Sequence, residues 1–131
     1  MTPLDKQMPR PTPAELEILR VLWRDGARTV REVQARLEAE RPTGYTTVLK
    51  LLQIMTDKGL VRRDESARAH VYSATAPEAT TQKQLVRDLV DRAFGGSASQ
   101  LVLHALGARK ASREELARIR ELLDRLEEVG R

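Results

Sequence analysis

The sequence predicts a mainly helical protein that carries one small β-hairpin. Three observations predict it: a helix-start signal that occurs four times, apolar residues spaced three and four positions apart, and one Val- and Tyr-rich stretch interrupted by a charged turn. Three helices precede the hairpin and three follow it. We therefore predict a domain with helices and hairpin over residues 1–76, and a purely helical domain over residues 77–131.

The helix starts are marked by Ser or Thr followed three residues later by Glu or Gln, a pair that caps the first turn. This signal occurs at Thr12 to Glu15, Thr29 to Glu32, Ser97 to Gln100 and Ser112 to Glu115. The first helix is expected to end at Asp25-Gly26. The second should end before Pro42, because proline disfavours a helical residue ahead of it.

The third helix is predicted from the stretch GYTTVLKLLQIMTDKG, in which Gly59 ends the helix. Its apolar stripe consists of Val48, Leu51, Leu52 and Met55. The opposite face holds Thr46, Lys50, Gln53 and Asp57, with Thr47 and Ile54 on one flank. This outer face is polar but carries few charges, which is unusual for a plain solvated helix.

The hairpin is predicted from LVRRDESARAHVYSA, which follows the third helix directly. Three helices and then a hairpin is the order of a winged helix-turn-helix, whose third helix enters the major groove of DNA. Base edges are read by short hydroxyls, methyl groups and a few long donors. Thr46, Thr47 and Lys50 are such groups in the first turns, and Gly44 lets the preceding turn come close to the DNA backbone.

Basic residues are concentrated in the same region. From Arg41 to Tyr72, six basic residues stand against three acidic ones, which is most of the net excess of +4 in the whole chain. Such a local positive field attracts phosphate.

Residues 77–131 follow the stretch SATAPEATT and are predicted to form three helices. Their apolar residues recur at three and four positions, the spacing of helices that pair with other helices. A helical unit of this size has a marginal core by itself, so a second copy of the chain would bury these residues. The predicted dimerisation residues are Leu85, Leu89, Phe94, Leu101, Leu116, Ile119, Leu123 and Leu126.

Several classes of protein are not favoured by the sequence. The chain has no cysteine, and its two histidines, His70 and His104, have no third ligand spaced nearby, so we expect no metal and no cofactor. No nucleophile with a base and no Gly-rich phosphate loop is recognisable, so we expect no catalytic residues and no enzyme. The start, MTPLDKQMPRPTP, lacks the apolar middle of a signal peptide, and no stretch is apolar enough for membrane insertion. We expect a cytoplasmic protein.

Four segments together resemble the penicillinase repressor family of bacterial transcription regulators (BlaI/MecI/CopY-like), nearly end to end. They are PTPAELEILRVLW, TVREVQARL, YTTVLKLLQIMTDKGLVRR with RAHVYSA, and FGGSASQLVLHAL. The resemblance implies a winged-helix domain that binds DNA, and a C-terminal three-helix dimerisation domain that makes the homodimer. It further implies a repressor on a palindromic operator with TACA/TGTA-like half-sites.

The resemblance also places the contacts with DNA. The third helix of the family maps onto Tyr45, Thr46, Thr47 and Lys50, and its wing maps onto Arg68 and its neighbours. With the polar face and the basic strand end added, the predicted DNA-binding residues are Tyr45, Thr46, Thr47, Lys50, Gln53, Arg62, Arg68 and His70.

Two departures from the family concern the inducing signal. The β-lactam-responsive members are cut at an Asn-Phe bond in the short C-terminal helix, where this chain has His104-Ala105. Copper-responsive members carry a C-terminal cysteine cluster, and this chain has none. The sequence therefore leaves open which signal releases the repressor, and whether a membrane sensor protease acts near His104.

Two alternatives remain beside a repressor. A winged helix can bind a protein partner, although that would favour an apolar outer face, whereas Thr46, Lys50 and Gln53 are polar. The protein could also be a transcriptional activator, since the sign of regulation depends on where the operator lies.

Overall fold

Six helices and three short strands follow one another in residues 10–130, the part of the chain that the computed structural model describes. They are α1 (Pro13–Asp25), β1 (Arg28–Thr29), α2 (Val30–Glu38), α3 (Tyr45–Lys58), β2 (Val61–Asp64), β3 (Val71–Ala74), α4 (Glu78–Ala93), α5 (Ala98–Ala108) and α6 (Arg113–Val129). The prediction of a mainly helical fold with a small hairpin is confirmed.

The chain divides into two compact units. The first extends to Leu85 and the second begins at Val86. The division therefore falls inside α4, whereas the boundary that the sequence suggests, after residue 76, lies just ahead of this helix. None of the helices in residues 10–130 combines the length and the apolar character needed to cross a membrane.

The predicted capping residues begin four of the helices. Thr12, Thr29 and Ser112 each form the reciprocal pair of hydrogen bonds with the glutamate three residues later. At α1, for example, the Thr12 N–H donates to Glu15 Oε1 at 2.8 Å and the Glu15 N–H donates to Thr12 Oγ1 at 3.2 Å. Ser97 accepts the Gln100 N–H at 3.2 Å and begins α5. Each such cap stabilises its helix by about 1 kcal/mol.

The predicted hairpin is confirmed, and it belongs to a three-stranded antiparallel sheet in the order β1-β3-β2. Within the hairpin, Val61 pairs with Ala74 and Asp64 with Val71. The strand β1, which the sequence did not reveal, pairs Arg28 with Tyr72. It ties the start of α2 to the hairpin, so the sheet and α2 hold each other in place.

The core lies in the first unit and combines α1, α2, α3 and the sheet. The largest side chains that are almost wholly buried are Ile18, Leu19, Val33, Val48, Leu52, Met55 and Tyr72. Trp23 packs against this core and donates its Nε1–H to the Ala76 carbonyl oxygen at 2.9 Å. This bond fixes the segment that leaves β3 to the end of α1.

An ion pair joins the start of α1 to the end of α3. Glu15 is only 2% exposed, and Lys58 Nζ lies 2.7 Å from its Oε1. Lys58 also donates to the Arg10 carbonyl oxygen at 3.1 Å. Burial by itself raises the pKa of Glu15, but the hydrogen bonds from Lys58 and from Thr12 outweigh burial and lower it.

The second unit buries much less of its apolar surface. No residue of α5 or α6 is fully buried in the single chain. Leu103, Leu123 and Leu126 are 66%, 52% and 58% exposed. At the start of this unit the Phe94 and His104 rings contact each other, with 5.5 Å between their centroids.

Candidate nucleic-acid interface

The outer face of α3 is presented to solvent because its inner face is fully packed. Val48, Leu52 and Met55 on the inner face are completely buried. Gly59 then ends the helix in the left-handed conformation (φ 82°), and its N–H donates to carbonyl oxygens of the last turn. The five α3 residues that the sequence predicted for DNA binding are all exposed: Tyr45, Thr46, Thr47, Lys50 and Gln53.

The first turn of α3 is open to an approaching anion. Gly44 stands at the N-cap and offers no side chain to the free N–H groups of that turn, and no acidic residue lies there. The backbone does not require glycine, since Gly44 has a φ of −76°. A Cβ at this position would meet only Thr47 Oγ1, at 3.9 Å. The missing side chain therefore leaves space outside the helix.

The hairpin turn, the wing of the fold, is held by local polar contacts. The Ser66 N–H donates to Asp64 Oδ1 at 2.9 Å, and this bond lowers the pKa of Asp64. Arg63 Nε donates to Glu65 Oε2 at 2.8 Å. Hydrogen bonding with the Tyr72 side chain, and then with Glu65, raises the pKa of Arg63. The Arg63 guanidinium therefore forms its hydrogen bonds within the hairpin.

Arg62 and Arg63 point to opposite faces of the sheet, because successive side chains of a strand alternate. Arg63 pairs with the buried Tyr72, and Arg62 pairs with Ser73. Arg62, which the sequence predicted for DNA binding, is thus exposed on the face opposite Tyr72. The predicted wing residues Arg68 and His70 are exposed as well.

A groove of about 470 Å³ lies between the start of α3 and the wing. Its polar rim brings together Arg31, Tyr45, Arg68 and His70, while its apolar lining includes Leu49 and Tyr72. Three of the predicted site residues, Tyr45, Arg68 and His70, therefore share one groove. Arg62 is not among the residues that line it.

Arg31 was missed by the sequence analysis. It lies in the first turn of α2, and its Cζ is 5.7 Å from the centroid of the Tyr45 ring. No spacing signal links two residues on different helices. The one available hint is electrostatic, because a cation in the first turn of a helix opposes the helix dipole and adds nothing to the stability of that helix.

The chemistry of the groove is that of an anion-binding surface. Its rim carries two guanidinium groups and a histidine, and no Asp or Glu is among the described residues that line it. Within residues 10–130, His, Asp and Glu side chains nowhere gather in threes that could hold a metal ion. This surface therefore offers hydrogen-bond donors and positive charge to a ligand.

A model of the penicillinase repressor family matches residues 11–125. The chain belongs to the penicillinase repressor family. The match covers α1 to α5, the sheet and most of α6, as the resemblance of the four segments implied. This family consists of transcriptional repressors, which are not enzymes.

Individual relatives align over most of the chain or over about half of it. The penicillinase repressor of Bacillus licheniformis is 24% identical over 119 residues, covering 91% of this chain and 93% of the relative. That of Staphylococcus aureus is 18% identical over 111 residues, covering 85% and 88%. The transcriptional regulator BlaI of Mycobacterium tuberculosis is 40% identical over 60 residues, covering 45% and 44%.

Solved structures are similar in fold. The solution structure of the DNA-binding domain of the repressor BlaI superposes with a TM-score of 0.50 at 25% identity, covering 55% of this chain and 88% of that one. The complex structure of hsRosR-S4 gives a TM-score of 0.53 at 16% identity, covering 95% and 96%. The second likeness concerns the fold alone. The predicted winged helix-turn-helix is confirmed.

Proposed function

We propose that this member of the penicillinase repressor family acts as a homodimer and represses transcription by binding a palindromic operator in double-stranded DNA. The observation that carries the proposal is the start of α3: an exposed, hydroxyl-bearing helix face, uncapped and free of acidic residues in its first turn, beside a groove with a basic rim. The solved DNA-binding domain of the repressor BlaI, 25% identical to this chain, supports the same role for this unit.

The groups on α3 and on the wing would contact different parts of the DNA. Thr46, Thr47, Lys50 and Gln53 face outward and suit contacts with base edges, where short hydroxyls and a few long donors discriminate. Arg62, Arg68 and His70 on the wing, with Tyr45 at the start of α3, suit contacts with the DNA backbone. The family resemblance gives TACA/TGTA-like half-sites as the sequences to test first.

The homodimer is supported by the apolar surface of the second unit. Leu89, Leu123 and Leu126 are each about half exposed, at 46%, 52% and 58%, in the single chain. The remaining predicted dimerisation residues are partly buried: Leu85, Phe94, Leu101, Leu116 and Ile119. Covering such a surface with a second copy gains hydrophobic stabilisation that a monomer lacks.

Release would then follow from weakening the dimer, and the site of action is the cytoplasm, where the operator DNA lies. A membrane sensor protease acting near His104 is one route, because α5 exposes Val102, Leu103 and most of its length. The bond His104-Ala105 offers neither the amide nor the aromatic side chain of the Asn-Phe pair. We therefore propose an inducer other than the usual β-lactam sensor.

The release step is tested by exposing native cells to β-lactams and to other envelope stresses, following the size of the protein and sequencing any new terminus. A fragment that appears under another stress supports the proposal. Cleavage between His104 and Ala105 under β-lactam would overturn the exclusion of that sensor. An intact dimer released by a small ligand would overturn proteolysis as the route.

The binding step is tested with the full chain by fluorescence anisotropy on two duplexes. One carries TACA/TGTA half-sites about one helical turn apart, and the other is a scrambled duplex of the same composition. We expect two protomers per palindrome, and an affinity that falls steeply with rising salt because several Lys and Arg side chains displace counterions. A monomer at micromolar concentration with no preference between duplexes would contradict the proposal.

A further inference from the structure

We infer that Arg31 binds a phosphate of the DNA backbone, and that Tyr45 serves DNA binding by positioning the Arg31 guanidinium instead of contacting the DNA itself. This inference rests on the proposed function. It also changes the role of Tyr45 from direct contact to support.

The Arg31 guanidinium and the Tyr45 ring form a cation–π pair. The Arg31 guanidinium carbon lies 5.7 Å from the centroid of the Tyr45 ring, within the range in which a cation is attracted to an aromatic face. Tyr45 is 45% exposed, and Arg31 is exposed as well, so the pair lies at the surface. A ring under the guanidinium restricts its orientation while its N–H groups remain available to a ligand.

The charge of Arg31 is not used within the fold that the structure describes. No carboxylate of the described residues forms an ion pair with it. The carboxylate of its neighbour Glu32 takes part in the cap of α2, where Glu32 Oε1 accepts the Thr29 N–H at 2.9 Å. Among the described residues, Arg31 is therefore a cation without an ion-pair partner, placed where the helix dipole also attracts negative charge.

Arg31 lines the same groove as the basic residues of the wing. Arg31 enters the rim from α2, while Arg68 and His70 enter it from the wing. A strand of DNA whose bases face α3 would pass its backbone along such a rim. The guanidinium group is suited to this contact, because its planar fork of N–H donors matches two phosphate oxygens.

The experiment measures affinity for the palindromic and scrambled duplexes. Arg31→Ala should weaken binding to both by a similar factor, about tenfold, because a phosphate contact carries no sequence information. The salt dependence should also become shallower by about one counterion per protomer. The matched control is Arg36→Ala on the same helix. Arg36 pairs with Asp25 at 2.9 Å and is absent from the groove, so its removal should leave affinity unchanged.

A double-mutant cycle tests the role of Tyr45. Tyr45→Phe keeps the ring and should bind as the wild type does. Tyr45→Leu should lose several-fold in affinity for both duplexes, yet lose nothing further when Arg31 is already Ala. Thermal unfolding of each variant checks that the fold is retained, and Arg31→Lys, which keeps the charge without the fork, should recover only part of the affinity.

Two results would overturn the inference while leaving DNA binding intact. Wild-type affinity in Arg31→Ala would remove the phosphate contact. A loss in Tyr45→Leu that is confined to the palindrome and adds fully to that of Arg31→Ala would make Tyr45 a base reader. A wild-type chain without affinity for any duplex would instead overturn the proposed function, and this inference with it.

Discussion

The two lysines of α3 show how position on one helix decides what a charge does. Lys58 lies in the last turn, where it contacts the buried Glu15 and the Arg10 carbonyl oxygen. Lys50 lies two turns earlier on the outer face and forms no ion pair with any residue in the described range. Lys58 therefore stabilises the fold, while the Lys50 ammonium is available to an external partner.

Replacing Lys50 separates base reading from backbone binding. Lys50→Ala should cost about 1–3 kcal/mol on the palindromic duplex and much less on a scrambled one, because a contact with a base edge exists only at the cognate site. Arg68→Ala should weaken both duplexes about equally. The measurement is anisotropy titration of both duplexes at one salt concentration. Equal losses for Lys50→Ala would assign it to a phosphate.

Glu15 should make the stability of the first unit sensitive to acid. Its pKa lies below the ordinary value of 4.5, so the stability it contributes is complete above about pH 4.5 and is lost as the pH falls through the lower, folded value. Glu15→Gln should cost about 1–3 kcal/mol at pH 7 by removing charged hydrogen bonds. With Gln at position 15, the free energy of unfolding should also fall less steeply as the pH drops below 4.5.

Urea unfolding at a series of pH values measures both effects of Glu15→Gln. The companion variant Lys58→Met leaves the Glu15 carboxylate buried without its cation, so it should raise the pKa of Glu15 and reduce the acid sensitivity that Glu15 contributes. A Glu15→Gln curve that runs parallel to the wild-type curve would show that other carboxylates set the acid response.

Among the elements, those with a local signal were predictable and those that depend on distant partners were not. The helix starts at Thr12, Thr29 and Ser112 follow from residues three positions apart. Strand β1 has only two residues, too few for alternation, and forms only because β3 lies beside it. The buried stripe of α3 could be predicted from apolar residues three and four positions apart, and so could the exposure of the opposite face.

The site shows the same division. The exposure of Thr46, Lys50 and Gln53 could be predicted because they lie opposite the buried stripe of their own helix. The contact of Arg31 with Tyr45 depends on how α2 packs against α3, and the separation of Arg62 from the groove depends on the strand register. Neither arrangement is encoded in the spacing of neighbouring residues.

The C-terminal end of α3 depends on Gly59, whose φ of 82° only glycine adopts at little cost. Gly59→Ala should destabilise the first unit by about 1 kcal/mol, because its Cβ is strained in the left-handed region. Gly59→Asn should cost less, since asparagine tolerates this conformation better. Urea unfolding at pH 7 measures both. Equal stability of Gly59→Ala and wild type would show that the helix end shifts to relieve the strain.

At the scale of the whole molecule, the two units differ in what holds them together. The fully buried apolar residues all lie between Ile18 and Tyr72 in the described chain, within the first unit. The second unit exposes Val86, Leu103 and Leu126 among others. If a second copy covers this surface, the stability of the second unit depends on protein concentration, while that of the first does not.

Leu123→Asp tests this dependence by placing a charge on the apolar face of α6. We expect monomers that keep the N-terminal fold, because Leu123 is 52% exposed and contributes nothing to the core of the first unit. Operator affinity should fall by orders of magnitude, since each half-site alone binds weakly.

Sedimentation velocity and anisotropy measure the assembly and the affinity of Leu123→Asp. The control Leu123→Met conserves volume and apolar character, so it should remain dimeric and bind as the wild type does. If Leu123→Asp stays dimeric, the leucines of α6 pack within one protomer and another surface makes the dimer.

The indole of Trp23 gives the first unit a spectroscopic signature of its own. Trp23 is the only tryptophan in the chain, and its Nε1–H is bonded to the Ala76 carbonyl oxygen beneath the segment that leads to α4. Tryptophan emission consequently reports on the first unit and on the attachment of this segment. A red shift at constant helicity would mean that the segment has detached from α1.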